Sequence, residues 1–281
     1  MSTQQSLPIG SKDRRVGWYD PPITRVESSI RDLLENYSRM PGEEVIPRIL
    51  ETRDKLWSIF PWPCIGQFRF LDLSLSRQPS YHQILSRLTS NPGERLLDVG
   101  CCMAQDLRLL AHHGVPSSSL CGLEIQPEFV SLGYEFFGDR ESFHGKFIVG
   151  DLMDRANEEA KALEGGVGIV QLGMVLHTWD LEGQIMACER VAELLRDERG
   201  VMVVGQSVGD VEGKEFSARG RMIYKHNVES FGRMWEEVGR RTRTRWAVRA
   251  RLDEGLGIDG GRREWDEKSA RRLGFEVERV E

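Results

Sequence analysis

The chain from Asn91 onward alternates short apolar runs with amphipathic segments, and this alternation restricts the fold more than any other feature. LLDVG (96–100), SLCGLEI (119–125), KFIVGD (146–151), GIVQLGMV (168–175) and GVMVVGQSV (200–208) have strand length. They are apolar at successive positions, as strands buried on both faces must be. Helical segments separate them: one running to about His113, PEFVSLGYEFF (127–137) with Pro127 near its first turn, NEEAKAL, and LEGQIMACERVAELLRDE (181–198). In the last, Leu181, Ile185, Cys188, Ala192 and Leu195 recur at steps of four, three, four and three. Repeated βα units predict an α/β, doubly wound, Rossmann-like parallel sheet. ESFGRMWEEVGRR (229–241) adds a helix, and TRWAVRARL (244–252) and FEVERV (275–280) add two strands. Seven strands are therefore expected, in an order the sequence does not fix.

Before Asn91 the pattern is helical. SSIRDLLENYSRM, VIPRILETRDKLWSIF and YHQILSRL (81–88) read as helices, and the breaker run PWPCIG (61–66) ends the second. The expected organisation is a polar, mobile segment at 1–17, a helical lid at 18–90 and the core at 91–281. Trp18, Tyr19, Trp57, Trp62, Phe68 and Phe70 either enclose an apolar ligand or pack the lid onto the sheet. Arg69 reads as a surface residue. GGVG (165–168) precedes a strand and reads as a turn.

Bulk properties narrow the function classes. The 281 residues carry a net charge of −6, which disfavours general affinity for nucleic-acid phosphates. No apolar run approaches the roughly 20 residues of a membrane span. MSTQQSLPIG has neither the basic nor the apolar region of a secretory leader. Five cysteines in a chain of this length do not suggest a disulfide framework, so a reducing, cytoplasmic setting is expected.

The loop after the first strand, Gly100-Cys101-Cys102-Met103-Ala104-Gln105, is the first place to seek a ligand. A dinucleotide fingerprint needs glycine at 102 and glycine or alanine at 105, where Cys102 and Gln105 stand. No GK[ST] phosphate loop follows. Three carboxylates fall at or near strand ends: Asp98, Glu124 and Asp151. Glu124 suits a ribose diol, Asp151 an adenine amino group and Asp98 an α-amino group. Each alone is also a plausible turn, cap or solvated residue. As an ordered set they fit an adenosyl amino acid without phosphates, S-adenosylmethionine (SAM). The cysteines of the loop read as small buried residues, and no His/Cys spacing suggests a metal.

LLDVGCCMAQDLRLL resembles the first motif of class I methyltransferases, which often runs LDxGCGxG. Its doubled cysteine followed by QDLR resembles fungal meroterpenoid-biosynthesis methyltransferases of the austinol-pathway type. PWPCIGQFRFLDL (61–73), LGYEFFGD (132–139), VVGQSVG (203–209) and HNVESFGRMWEEVG (226–239) extend the likeness over roughly residues 45–252. The resemblance implies a SAM-dependent O-methyltransferase and a homodimer. Several members esterify the carboxyl group of a prenylated aromatic polyketide acid, so the expected substrate is a small hydrophobic acid. The resemblance carries Asp98, Gly100, Glu124 with Ile125, and Asp151 with Leu152 into SAM binding; Cys101 and Gln105 in the same loop are further candidates. Relatives tend to have glycine where Ala104 stands, which is harmless at right-handed φ and unfavourable at positive φ.

A carboxylate acceptor is ionised at neutral pH and needs orientation but no base, whereas a phenol or alcohol benefits from one. The candidates are His177, after the fourth strand, and His226, before the last helix; a wall residue and a helix-flank residue are the alternatives. GMVLHTWD (173–180) lacks the [ND]PP[YFW] signature of amino methylation. A methyltransferase-fold protein that catalyses cyclisation, or binds without methyl transfer, is a further alternative. RRTRTRWAVRAR (240–251) holds six arginines, read as a solvated basic face or an acidic-partner site.

Overall fold

A computed structural model describes residues 10–218, 220–256, 261 and 267–281. The N-terminal part contributes α1 (Ser28–Asp32), α2 (Val45–Ile59), α3 (Pro63–Gly66) and α4 (Tyr81–Ser90). The alternating part runs β1 (Leu96–Val99), α5 (Gln105–His112), β2 (Leu120–Glu124), α6 (Pro127–Phe137), β3 (Lys146–Val149), α7 (Glu158–Lys161), β4 (Ile169–Gly173), α8 (Leu181–Leu194) and β5 (Met202–Asp210). It continues through β6 (Lys214–Ala218), β7 (Arg221–Lys225), α9 (Val228–Thr242), β8 (Trp246–Asp253) and β9 (Ala270–Arg279).

Seven strands form one sheet in the order β3-β2-β1-β4-β5-β9-β8. The first five are mutually parallel, while β9 runs antiparallel to both β5 and β8. The order reverses between β1 and β4, so the switch-point crevice lies beyond their carboxyl ends. The expected seven-stranded doubly wound sheet is present. Successive strand residues serve opposite faces. Leu96 and Ile169 join the core shared with α5, α6 and the N-terminal helices, whereas Leu97 and Val170 join the core under α8 and α9.

The N-terminal helices are continuous with the sheet's core. Leu33, Leu34, Ile49 and Leu56 are fully buried in the same cluster as Leu96, Met202 and Val204. Arg53 lies over the rings of Tyr19 (4.2 Å) and Phe68 (4.5 Å), and its Nη1 donates to the Asp20 carbonyl. Gly66 admits the close crossing of this segment, since a Cβ there would meet the Trp18 carbonyl oxygen at 2.3 Å. Of the segment expected to be mobile, residues 1–9 lie outside the described residues. Val16 is buried, and the Lys12 carbonyl accepts from Trp57 Nε1.

Several local expectations need correction. The first helix gives way after Asp32 to a π-helical turn, Leu33–Tyr37. The breaker run contains α3, with a proline in its first turn. The β6–β7 hairpin was not anticipated, and β9 begins five residues before FEVERV. No helix among the described residues is long and apolar enough to cross a membrane.

Candidate active site at the carboxyl edge of the sheet

The loop after β1 is held tightly to the end of β2. The N–H groups of Gly100 and Cys101 both donate to the Leu123 carbonyl, and Cys102 N–H donates to Glu124 Oε2 at 2.8 Å. Gly100, Cys102 and Ala104 have φ of +69°, +51° and +54°, so the loop winds through three left-handed residues and only one is glycine. Gly100 is required twice over, because a Cβ there would also lie 2.6 Å from Val175 Cγ2. That contact brings the loop after β4 against the loop after β1. Ala104 occupies the unfavourable case, a conformation disfavoured by about 1–2 kcal/mol for an L-residue. Arg108 on α5 props the loop from below, with Nη1 donating to the Met103 carbonyl.

Asp98 and Glu124 are brought together beneath this loop. Both are buried. Desolvation, then the charges of Asp106 and Glu124, holds the Asp98 carboxyl well above the usual carboxylate range. Among the described residues its side chain accepts no hydrogen bond. Burial likewise raises Glu124, although its carboxylate accepts from the N–H groups of Cys102 and Gln126. Two lone-pair positions on that carboxylate remain for a diol. Ile125, directly after Glu124, is 56% exposed, and Val149 on the neighbouring strand is 44% exposed. They offer an apolar platform for a planar base. Buried acids of one sign, with an apolar platform beside them, fit a ligand that is cationic at one end and aromatic at the other. SAM, with its ammonium, sulfonium and adenine, has this character.

The remaining candidates are placed less directly. Asp151 is exposed and closes an Asx turn on Met153 N–H, while Leu152 is buried in the second core. The Cys101 side chain is packed into the sheet, where a Cβ on Gly122 would meet its Sγ at 2.7 Å. The structure thus turns the Cys101 side chain away from the crevice. Gln105 reaches the N-terminal segment, donating to the Asp72 carbonyl. His226 is buried, its Nδ1 2.9 Å from Ser230 Oγ and its ring against Tyr224 and Phe231. Desolvation pulls its pKa down to about 4, so it is a neutral packing residue between β7 and α9. His177 follows β4 and is tied to β5 through Ser207 and Val208.

Above the crevice, residues 67–80 are fastened to the strand ends by buried polar bonds. Asp106 accepts from Ser74 Oγ, Leu75 N–H and Gln171 Nε2 at 3.1, 3.1 and 2.7 Å. Desolvation still pushes its pKa up to about 6. Asp72 accepts from Gln206 Nε2 and pairs with Arg77, and Gln78 donates to the Gly205 carbonyl. Sequence reasoning missed this network. Its one visible signal was a glutamine within each of the apolar runs of β4 and β5. Arg69 needs correction from surface to interior: it is 8% exposed, bonded to Gln67, with Nη1 3.9 Å from Met174 Sδ beyond β4. The arginine run is a solvated face: Arg240, Arg241, Arg245, Arg249 and Arg251 each pair with nearby acids. Among the described residues no group of His, Cys, Asp or Glu could hold a metal, and all five cysteines are free.

Comparison with known proteins agrees with this geometry. Residues 18–71 match the family described as the meroterpenoid methyltransferase N-terminal domain. The chain is 38% identical over 271 residues to O-methyltransferase atr3 of Stereocaulon alpinum, covering 95% of this chain and 77% of that protein. It is 35% identical to methyltransferase prhM of Penicillium brasilianum, covering 82% and 83%. Among solved structures, Haemonchus contortus phosphoethanolamine N-methyltransferase 2 superposes with a TM-score of 0.51 at 15% identity, covering 91% of this chain and 61% of that one. A Burkholderia thailandensis didemethyltoxoflavin N1-methyltransferase gives 0.50 at 12% identity, covering 92% and 94%. These two likenesses concern the fold. The chain belongs to the fungal meroterpenoid methyltransferase family, as a SAM-dependent methyltransferase of class I fold.

Proposed function

We propose that the enzyme transfers a methyl group to the carboxylate oxygen of a small, hydrophobic polyketide–terpenoid acid, giving a methyl ester. Arg69 carries this reading: a buried guanidinium reaches the residue that follows β4, at the acceptor end of the crevice. A buried cation there suits an anionic acceptor better than a neutral phenol. Bound SAM supplies an electrophilic methyl group; the carboxylate oxygen forms the new C–O bond, the C–S bond's electrons stay on sulfur, and no proton moves. In this reading Asp98 meets the ammonium, Glu124 the ribose hydroxyls, Asp151 the adenine amino group, and Ile125 with Leu152 the adenine surroundings. Gly100 lets the loop approach. The N-terminal helices act as the lid, their aromatics excluding water from the acceptor. The five free cysteines favour a cytoplasmic setting, and sedimentation tests the homodimer that the resemblance implies.

The test is methyl transfer from labelled SAM to a prenylated aromatic polyketide acid and to its primary carboxamide, which keeps the phenols. Ester formation on the acid alone is expected. Label in the phenol ether of both compounds would overturn the carboxyl reading.

A further inference from the structure

We infer that His177 serves the acceptor as a hydrogen-bond donor through Nε2–H, and not as a general base. The argument begins on β5. The Val208 amide can only donate, and its N–H is directed at His177 Nδ1, with N···N 3.4 Å. Ser207 Oγ lies 3.2 Å from the same nitrogen and also accepts the backbone N–H of His177 at 3.1 Å. Its own hydroxyl proton is thus directed toward Nδ1. A nitrogen receiving two donors must present its lone pair, and a neutral imidazole then carries its proton on Nε2.

This tautomer determines what the ring can do. Nδ1, the basic nitrogen, is committed to the β5 backbone. Nε2 has a proton to give and no lone pair with which to take one. A phenol or alcohol approaching Nε2 finds no base, whereas a carboxylate finds a donor for one of its oxygens. That leaves the other oxygen to be aimed at the methyl carbon. His177 is therefore a positioning residue, held by Ser207 and Val208 and placed beyond the strand whose following loop contacts Gly100. This inference rests on the carboxyl reading for its acceptor, but the tautomer is a property of the protein alone.

The experiment uses the full chain labelled with 15N-histidine, with His177 assigned by its absence in His177→Gln. A pyrrole-type Nε2 and an imine-type Nδ1 are expected; the reverse pattern would overturn the inference. Kinetics on the polyketide acid follow. His177→Ala should raise KM by roughly 10- to 100-fold, the scale of one hydrogen bond to a charged group, with kcat nearly unchanged. His177→Gln places an amide N–H near the same point and should recover most of that loss. A fall in kcat on the order of 10²–10⁴ in both variants would indicate a base and sink the proposal. If acids are not substrates at all, the carboxyl reading fails while the nitrogen spectrum still decides the tautomer.

Discussion

Asp139 and Asp98 are both buried carboxylates near the same sheet, and their surroundings are opposites. Asp139 accepts from Arg108 Nε and Nη2 at 2.8 and 3.0 Å and from the Tyr37 hydroxyl at 2.8 Å. The guanidinium also lies over the rings of Phe137 and Phe143. Asp98 has other carboxylates as its charged neighbours and accepts no side-chain hydrogen bond among the described residues. A buried charge without a partner is unfavourable to the isolated fold. The contrast separates structure from function: the paired acid fastens α5 to the end of α6, and the unpaired acids await a cation.

The largest effect expected from this contrast is on Asp139. Asp139→Asn leaves a buried guanidinium without its counter-charge and should destabilise the fold by about 3–5 kcal/mol, read by denaturant unfolding. A loss below about 1 kcal/mol would mean that Arg108 finds another partner.

The second effect is a pH dependence. Asp98, Glu124 and Asp106 all have folded-state pKa values above their ordinary ones. Between the two values the folded chain holds more protons than the unfolded chain, so stability falls as pH rises through that window. For Asp106 the window runs from 3.8 to about 6, at up to about 1.4 kcal/mol per pH unit. A cationic ligand prefers the ionised acids, so stabilisation by SAM should grow over the same range. Thermal melts at several pH values, with and without SAM, test both slopes. Parallel curves would deny the link between the acids and the ligand.

The smallest effect concerns Ala104. Ala104→Gly relieves about 1–2 kcal/mol of left-handed strain but adds about 0.4–1 kcal/mol of unfolded-state freedom. A net gain of about 1 kcal/mol or less is expected, visible as a small rise in melting temperature. A loss would show that the methyl group of this buried residue contributes more to packing than its backbone loses.

What was legible in the sequence follows the same division. The five parallel strands were readable because burial on both faces forces continuous apolar runs. The β6–β7 hairpin was not, since KEFSA and RMIYK alternate polar and apolar residues without a strong period. The start of β9 was hidden by Arg271 and Arg272. Asp98, Gly100 and Glu124 were identifiable because they stand at or next to strand ends. Arg69 was misread because its burial depends on how residues 67–80 fold across the crevice, a long-range fact that local composition does not carry. The left-handed backbone at Cys102 and Ala104 was equally invisible, since neither residue type advertises it.

The most direct test of the central claim is calorimetric titration of SAM into the wild type and Asp98→Asn. The substitution removes the unpaired charge and keeps the shape. The account predicts SAM binding weakened roughly 10- to 100-fold, the scale of a hydrogen bond to a charged group, with folding stability equal or higher. Unchanged affinity, or a collapse of stability like that expected at Asp139, would contradict it.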